Sequence, residues 1–203
     1  MRRIASWPYP VAAAVLPGLS GSADAARALT ASGKEVLLHL PMEPNGYPAV
    51  RPGPGVVLRS QSEEEIASTL EKDLDTVPGA SGINNHMGSA ATADPRVMRA
   101  VARVLARRGL FFVDSRTTVS TVARDAAQAA RVPATSRRIF LDDVATPEAV
   151  RRSFEELLRR ASSEGEALAI GHPHAATLDV LEREIPNLPS RGVKLVRVRD
   201  LVK

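Results

Sequence analysis

The sequence predicts an α/β fold whose strands run parallel. Short apolar runs recur along the 203 residues, and a segment with helical periodicity follows each of them. The runs at residues 36–38 and 110–113 lack alternating polar residues, which is typical of strands covered on both faces. A hydrophobic content of 44% with 25% charged residues fits one folded domain over residues 1–203.

The pattern predicts about seven strands. They lie at residues 11–16, 35–39, 81–84, 110–113, 138–141, 167–170 and 193–198. The first follows a basic start and precedes small residues, so the beginning of the chain is also similar to a secretory signal. We favour a strand there, because Trp7 and three prolines interrupt the continuous apolar helix that a signal requires.

Three predicted helices carry explicit start signals. Ser62 and Glu65 have the spacing of a capping box, and apolar residues then recur at helical intervals. Asp94 and Thr146 are each followed by a proline, which is typical of an N-cap and a first helical residue. Between the second strand and the first of these helices, residues 41–54 are rich in proline and glycine and predict a long ordered loop.

Composition excludes several classes of site. The chain has no cysteine, so disulfides, thiolate zinc sites, iron–sulfur clusters and cysteine nucleophiles are ruled out. Any metal must therefore bind to carboxylates and to the four histidines, which are His39, His86, His172 and His174. Aromatic residues make up 3%, and none interleaves with the arginine clusters, which disfavours nucleic-acid binding despite the net charge of +4.

The polar residues that follow the predicted strands indicate where chemistry takes place. His39, His86 and His172 each come at the end of a strand, and the carboxyl ends of parallel strands share one edge. Two imidazoles with nearby carboxylates such as Glu43 and Asp114 suit zinc or a similar divalent ion. For one histidine alone, such as His39, a hydrogen-bonded side chain at a strand end is the simpler interpretation. No serine lies in a Gly-x-Ser-x-Gly elbow, and no phosphate-binding loop is present.

Five motifs, in order along nearly the whole chain, resemble those of the divergent polysaccharide deacetylase family. The most specific is the Asn-Asn-His-Met-Gly-Ser string within residues 82–89. The others lie at residues 39–44, 111–117, 140–142 and 170–173. This resemblance implies a deformed (β/α) barrel of the polysaccharide deacetylase type. It also implies an enzyme that removes N- or O-acetyl groups from glycans with a divalent metal, usually zinc.

The resemblance also implies roles for individual residues. His39 and His86 are expected to bind the metal, and His172 is expected to act as the general acid that protonates the leaving group. Glu43 stands where ordinary deacetylases have their second histidine, and we group it with the catalytic residues. Asp114 is expected to orient an imidazole or to bind substrate.

Three further residues are candidates for substrate contacts. Asn84 and Asn85 are expected either to bond sugar hydroxyls or to hold the loop backbone, and both alternatives remain open. Arg116 is expected to pair with Asp114 or with an anionic group of the substrate. No partner is expected for His174, which we interpret as a surface residue.

The chain departs from the family pattern at its start. Members normally begin with one more strand that ends in an Asp-Asp pair, which supplies a metal ligand and the general base. The sequence from Trp7 to Leu16 already resembles the second strand, so we expect an N-terminally truncated domain. Asp142 already matches a later family position, so Asp142 and Asp143 do not replace that pair.

Two functions follow as hypotheses. The first is a metal-dependent hydrolase acting on an acetylated polysaccharide or peptidoglycan-like glycan of the bacterial envelope or periplasm. The second is a non-catalytic binder of the same fold that contributes to envelope assembly through contacts alone. No apolar run reaches the ~20 residues that a membrane-spanning helix needs, so we expect no membrane span.

Overall fold

The structure is a computed structural model that describes residues 2–203. The chain divides into two compact units. The five-stranded unit comprises residues 12–136 with 202–203, and the two-stranded unit comprises residues 2–11 with 137–201. Whether the two units form the single domain expected from the sequence stays a prediction.

The five-stranded unit contains one parallel sheet with the strand order β1-β2-β3-β4-β5. Its strands are β1 (Ala12–Val15), β2 (Glu35–Met42), β3 (Ala80–Met87), β4 (Phe111–Asp114) and β5 (Ala134–Ser136). The helices between them are α2 (Ser22–Ala31), α3 (Glu63–Asp75), α4 (Pro95–Arg108) and α5 (Ala123–Ala129), with a 3-10 turn at Ala91–Ala93. Because successive strands neighbour each other and are parallel, the predicted α/β class is confirmed.

The two-stranded unit pairs β6 (Ile139–Phe140) with β7 (Ala169–Ile170), again in parallel. Its helices are α1 (Arg2–Ser6), α6 (Pro147–Glu164) and α7 (Ala175–Glu184). Short 3-10 turns follow at Ile185–Asn187, Pro189–Arg191 and Val198–Asp200. The apolar faces of α6 and α7 meet in a buried cluster that includes Val150, Phe154 and Val180.

Two strand predictions differ from the structure. Residues 193–198 were predicted as a strand, but they form no ladder in the described chain, and Val193 and Leu195 pack against the α6 cluster instead. Conversely, β5 was missed because three residues are too short for a recognisable pattern. Ala134 of β5 exchanges backbone hydrogen bonds with Lys203 at 3.0 and 3.2 Å.

β2 and β3 extend three residues beyond the ends predicted at His39 and Asn84. Pro41 lies inside β2, although prolines usually interrupt strands. Its carbonyl faces away from β3 and accepts from Val57 N–H at 2.9 Å. The amide hydrogen that proline lacks would point the same way, so the pairing of β2 with β3 loses no bond at Pro41.

The three predicted helix starts are confirmed. Ser62 and Glu65 form a complete capping box at the start of α3. Asp94 accepts from backbone N–H groups at the start of α4, and Thr146 does so at the start of α6. Among the described residues, no helix combines the length and apolar character required to traverse a bilayer.

Candidate functional site

His39, Asn84 and His86 lie on one face of the five-stranded sheet. His39 is the register partner of Asn84 on the neighbouring strand. Side chains alternate between the two faces along a strand, so Asn84 and His86 point to the same side. The sequence predicted His39, His86 and His172 at one shared edge. The structure brings His39 into contact with His86, within strands rather than at their ends, whereas His172 follows β7 of the separate two-stranded sheet.

The three side chains form a short hydrogen-bonded chain. His39 Nδ1 lies 3.0 Å from Asn84 Oδ1, and His39 Nε2 lies 3.0 Å from His86 Nδ1. Because an amide oxygen only accepts, this arrangement puts a hydrogen on His39 Nδ1. His39 Nε2 is then directed toward His86, whose ring lies edge-on at a centroid distance of 4.7 Å.

The spacing of the two imidazoles fits a shared metal ion. Two nitrogens that each lie about 2.0–2.1 Å from a tetrahedral zinc are roughly 3.3 Å apart. The observed 3.0 Å between His39 Nε2 and His86 Nδ1 is close to that value. Within residues 2–203, no third histidine or carboxylate joins this pair at metal-ligand spacing.

Asn85, on the opposite face of β3, holds the loops that follow β3 and β4. Its side chain is 1% exposed, accepts from Ser115 N–H at 2.8 Å and donates to the Met87 carbonyl at 2.8 Å. Asn84 is also buried and donates to Ser115 Oγ at 3.2 Å. Asn85 thus holds loop backbone, whereas Asn84 contacts the side chains of His39 and Ser115; a contact of either amide with sugar hydroxyls stays a prediction.

Asp114 is buried at the end of β4, where its carboxylate organises the following loop. Its Oδ1 accepts from Arg116 N–H at 2.8 Å, and its Oδ2 accepts from Thr121 Oγ1 at 3.0 Å. Arg116 has a positive φ of 50° and an exposed side chain. The Asp114 hydrogen bonds therefore set the backbone conformation from which Arg116 projects.

Glu43 connects the loops after β2 and β3. Its carboxylate accepts from Arg59 N–H at 2.7 Å and from Arg59 Nε at 3.0 Å. Its backbone carbonyl accepts from Ala90 N–H at 3.1 Å and Ala91 N–H at 3.0 Å. Both carboxylate oxygens thus hold Arg59, which follows the proline-rich loop, a contact that the sequence did not reveal.

A second cluster lies in the two-stranded unit, where His172 meets Asp142 and His174. Asp142 Oδ2 accepts from His172 N–H at 2.6 Å, and Asp142 Oδ1 lies 3.2 Å from His172 Nδ1. Ligand atoms of Asp142, His172 and His174 all lie within 4.8 Å of one another. Sequence reasoning missed His174. The signal that could have found it is the His-Pro-His spacing directly after β7. Asp142 follows β6, and β6 pairs with β7.

A family model described as divergent polysaccharide deacetylase matches residues 1–202. The chain belongs to this family. This member of the family is 37% identical over 201 residues to the uncharacterised protein YibQ of Escherichia coli K12. The alignment covers 98% of this chain and 62% of YibQ. It therefore spans less than two thirds of that relative.

Two further proteins are similar to this chain, one in sequence and one in fold. An uncharacterised protein of Haemophilus influenzae is 34% identical over 198 residues, covering 98% of this chain and 70% of that protein. The crystal structure of uncharacterised ATU2773 from Agrobacterium tumefaciens C58 superposes with a TM-score of 0.94 at 23% identity. The superposition covers 99% of this chain and 82% of that one, so this divergent polysaccharide deacetylase shares the fold of ATU2773.

Proposed function

We propose that the protein is a divalent-metal-dependent hydrolase that removes acetyl groups from a glycan of the cell envelope. The observation that carries this proposal is the pair of imidazole nitrogens, His39 Nε2 and His86 Nδ1, 3.0 Å apart in a divergent polysaccharide deacetylase. Asn84 Oδ1 contacts Nδ1, the other ring nitrogen of His39. This contact holds the ring in the orientation that directs Nε2 toward His86.

His39 and His86 would hold the metal, for which zinc is the proposed ion. A divalent ion with few protein ligands acts as a Lewis acid on a carbonyl oxygen and lowers the pKa of bound water. The residues on this chain orient the ligands and move protons. Asn84 fixes the His39 tautomer, and Asn85 holds the loop that continues from His86.

His172 is proposed as the proton donor to the leaving amine or alcohol. Asp142 accepts from His172 Nδ1 and also from its backbone N–H, which leaves the other ring nitrogen, Nε2, for substrate. The side chain of Asp142 is fully buried, whereas that of His172 is 47% exposed, so the carboxylate is fixed while the ring faces solvent. This role rests on the family motif together with these contacts.

Glu43 and Asp114 are proposed as catalytic carboxylates. Hydrogen bonds within the protein hold both of them in place. Arg59 fixes Glu43, and the Arg116 amide and the Thr121 hydroxyl fix Asp114. The exposed Arg116 is proposed to meet an anionic group of the glycan. The net charge of +4 attracts an anionic glycan at long range. We propose a bacterial envelope location, where such glycans occur.

One observation favours a second candidate function. Among the described residues, His39 and His86 are not joined by a third histidine or carboxylate at ligand spacing. A protein with this pair alone could bind an envelope glycan without hydrolysing it. The alternative is therefore a non-catalytic binder that uses the same surface.

Acetate release separates the two functions. The purified protein, loaded with zinc, is incubated with N-acetylated chitooligosaccharides and with O-acetylated peptidoglycan fragments, and free acetate is measured. We expect zinc-dependent release that His39→Ala and His86→Ala abolish, whereas the surface control Arg27→Ala retains it. Glycan binding without release would establish the binder, and neither binding nor release would contradict both proposals.

A further inference from the structure

Asp142, His172 and His174, here called the Asp-His-His cluster, form a set of potential metal ligands outside the His39–His86 pair. Their ligand atoms lie within 4.8 Å of one another, all inside the two-stranded unit. The rings of His172 and His174 have centroids 5.7 Å apart. Pro173 lies between them, and His174 N–H donates to the His172 carbonyl at 2.8 Å, so the two rings project from one tight bend.

The donor set selects a class of cation. Two imidazoles and one carboxylate suit zinc and other divalent transition metals, whereas calcium and magnesium prefer oxygen ligands throughout. Three protein ligands leave further coordination positions open to water or to a small anion. The cluster therefore has the chemistry of an open transition-metal site.

The carboxylate of the cluster is held in place before any ion arrives. Asp142 accepts from Thr177 Oγ1 at 2.8 Å and from His172 N–H at 2.6 Å, both through Oδ2. Oδ1, which faces His172 Nδ1 at 3.2 Å, keeps lone-pair capacity for an ion. Such outer contacts orient ligands and raise metal affinity.

Access and local charge set the expected strength of binding. Both histidines are exposed, so an ion reaches them from solvent. Two positive charges oppose a cation. His174 is the N-cap of α7, where the helix dipole is positive. Arg137 Cζ lies 4.8 Å from the ring centroid of Phe140, and this ring contacts His172. Binding is expected to be weaker than at a buried structural zinc site, and hence to respond to changes in cation concentration.

We propose that the Asp-His-His cluster binds a divalent transition-metal ion in addition to the one held by His39 and His86. Bound to the ion, His172 cannot transfer a proton, so excess cation inhibits the enzyme. The inhibition rests on the function proposed above, whereas binding of the ion does not.

Direct zinc binding tests the site in a background that lacks the first pair. The His39→Ala/His86→Ala protein is freed of metal, dialysed against zinc at known concentrations and assayed for bound zinc by atomic absorption. We expect it to retain one ion per chain, and we expect added His174→Ala to weaken that binding by at least about tenfold. Asp142→Asn should act in the same direction, whereas the exposed neighbouring control Asp143→Asn should not.

Two outcomes would overturn the assignment of the site. One is equal zinc binding with and without His174→Ala, and the other is no zinc binding by the His39→Ala/His86→Ala protein while circular dichroism shows it folded. Because His174 is exposed, its replacement tests the cluster even where Asp142→Asn perturbs folding.

Inhibition is measured separately, as acetate release against rising zinc concentration. We expect the half-inhibitory concentration to rise at least about tenfold in His174→Ala, since one of three ligands is lost. An unchanged value would overturn the inhibitory role. If wild-type protein releases no acetate at all, the proposed function fails, and the dialysis result alone decides the site.

Discussion

Asn84 shows how one buried amide organises the candidate metal pair. Its side chain is 4% exposed and contacts both His39 Nδ1 and Ser115 Oγ. An acceptor on the nitrogen that does not bind metal fixes the tautomer of a ligating histidine and increases its basicity. Asn84 therefore acts on any bound ion through His39.

Replacing Asn84 should weaken metal binding without removing a ligand. We expect Asn84→Ala to lower zinc affinity by about 10–100-fold, because His39 loses the acceptor that orients it. Asn84→Asp, which keeps an acceptor oxygen, should restore most of that affinity. Zinc dialysis in a His174→Ala background measures this, because weakened binding at the Asp-His-His cluster leaves the His39–His86 pair as the main contribution. If Asn84→Ala binds zinc as its parent does, Asn84 serves the Ser115 loop alone.

The sequence predicted the residues of the His39–His86 pair but not all of their neighbours. His39 and His86 were found because each was placed at the end of an apolar run in a parallel fold. The Glu43–Arg59 contact was not found, because both residues lie in or beside a loop without periodicity. His174 was interpreted as a surface residue, because the His-Pro-His spacing alone does not indicate Asp142, which lies far from it in the sequence.

At the scale of elements, the turn after β3 depends on a glycine. Gly88 has a φ of +87°, and a Cβ atom there would lie 2.8 Å from Met42 Cβ and 3.2 Å from Thr92 Cγ2. The Gly88 carbonyl accepts from Thr92 Oγ1 at 2.7 Å. The glycine of the Asn-Asn-His-Met-Gly-Ser string, two residues after His86, therefore lies at a position where a Cβ atom would clash with β2.

Gly88→Ala should destabilise the fold more than alanine at a glycine with open space around it. We expect a loss of about 2–4 kcal/mol in the free energy of unfolding, since backbone strain adds to a steric clash. Gly109, at the end of α4, has a φ of +63°, and an added Cβ there would meet no described residue within 4 Å apart from its own neighbours in the chain and helix. Gly109→Ala is the control and should cost only about 1 kcal/mol. Urea unfolding measures both, and equal losses would contradict the predicted clash.

Helices were easier to predict than strands for a local reason. The starts of α3, α4 and α6 are set by caps within three residues of one another in sequence. A strand exists only with a partner, and the alternating residues 193–198 find none in the described chain. The three-residue β5 becomes a strand because β4 and Lys203 supply its hydrogen bonds.

At the scale of the whole molecule, Asp73 links stability to pH. It lies on α3 with 5% exposure, and its Oδ2 has no hydrogen-bond partner among residues 2–203. Burial raises the pKa of Asp73 from 3.8 to about 7. Gly55 packs so closely that an added Cβ would lie 2.0 Å from Asp73 Oδ1. Folding thus places a carboxyl group where its neutral form is preferred.

Stability should therefore fall as pH rises. Between pH 3.8 and about 7 the folded protein keeps a proton on Asp73 that the unfolded chain releases, so the free energy of unfolding decreases with pH. We expect a loss on the order of 1–4 kcal/mol over this window. Asp73→Asn should remove most of that slope and be more stable than wild type at pH 8. Urea unfolding at pH 4.5 and pH 8 measures it.

The control for this prediction is Asp75→Asn, an exposed carboxylate on the same helix. It should leave the pH dependence of the unfolding free energy as in wild type. An Asp73→Asn protein with the wild-type slope would show that other groups cause the pH dependence.

By itself, the sequence determined the α/β class, the capped helices, the family and the histidines proposed as metal ligands, because each depends on residue types and short-range spacing. Only the tertiary structure decided which nitrogens face each other. The register that pairs His39 with Asn84 turns His39 Nε2 toward His86, and pairing of Phe140 with Ile170 brings Asp142 to His172 two residues further on. Such contacts join residues 30 or more positions apart, and only parallel strand pairing brings them within hydrogen-bond distance.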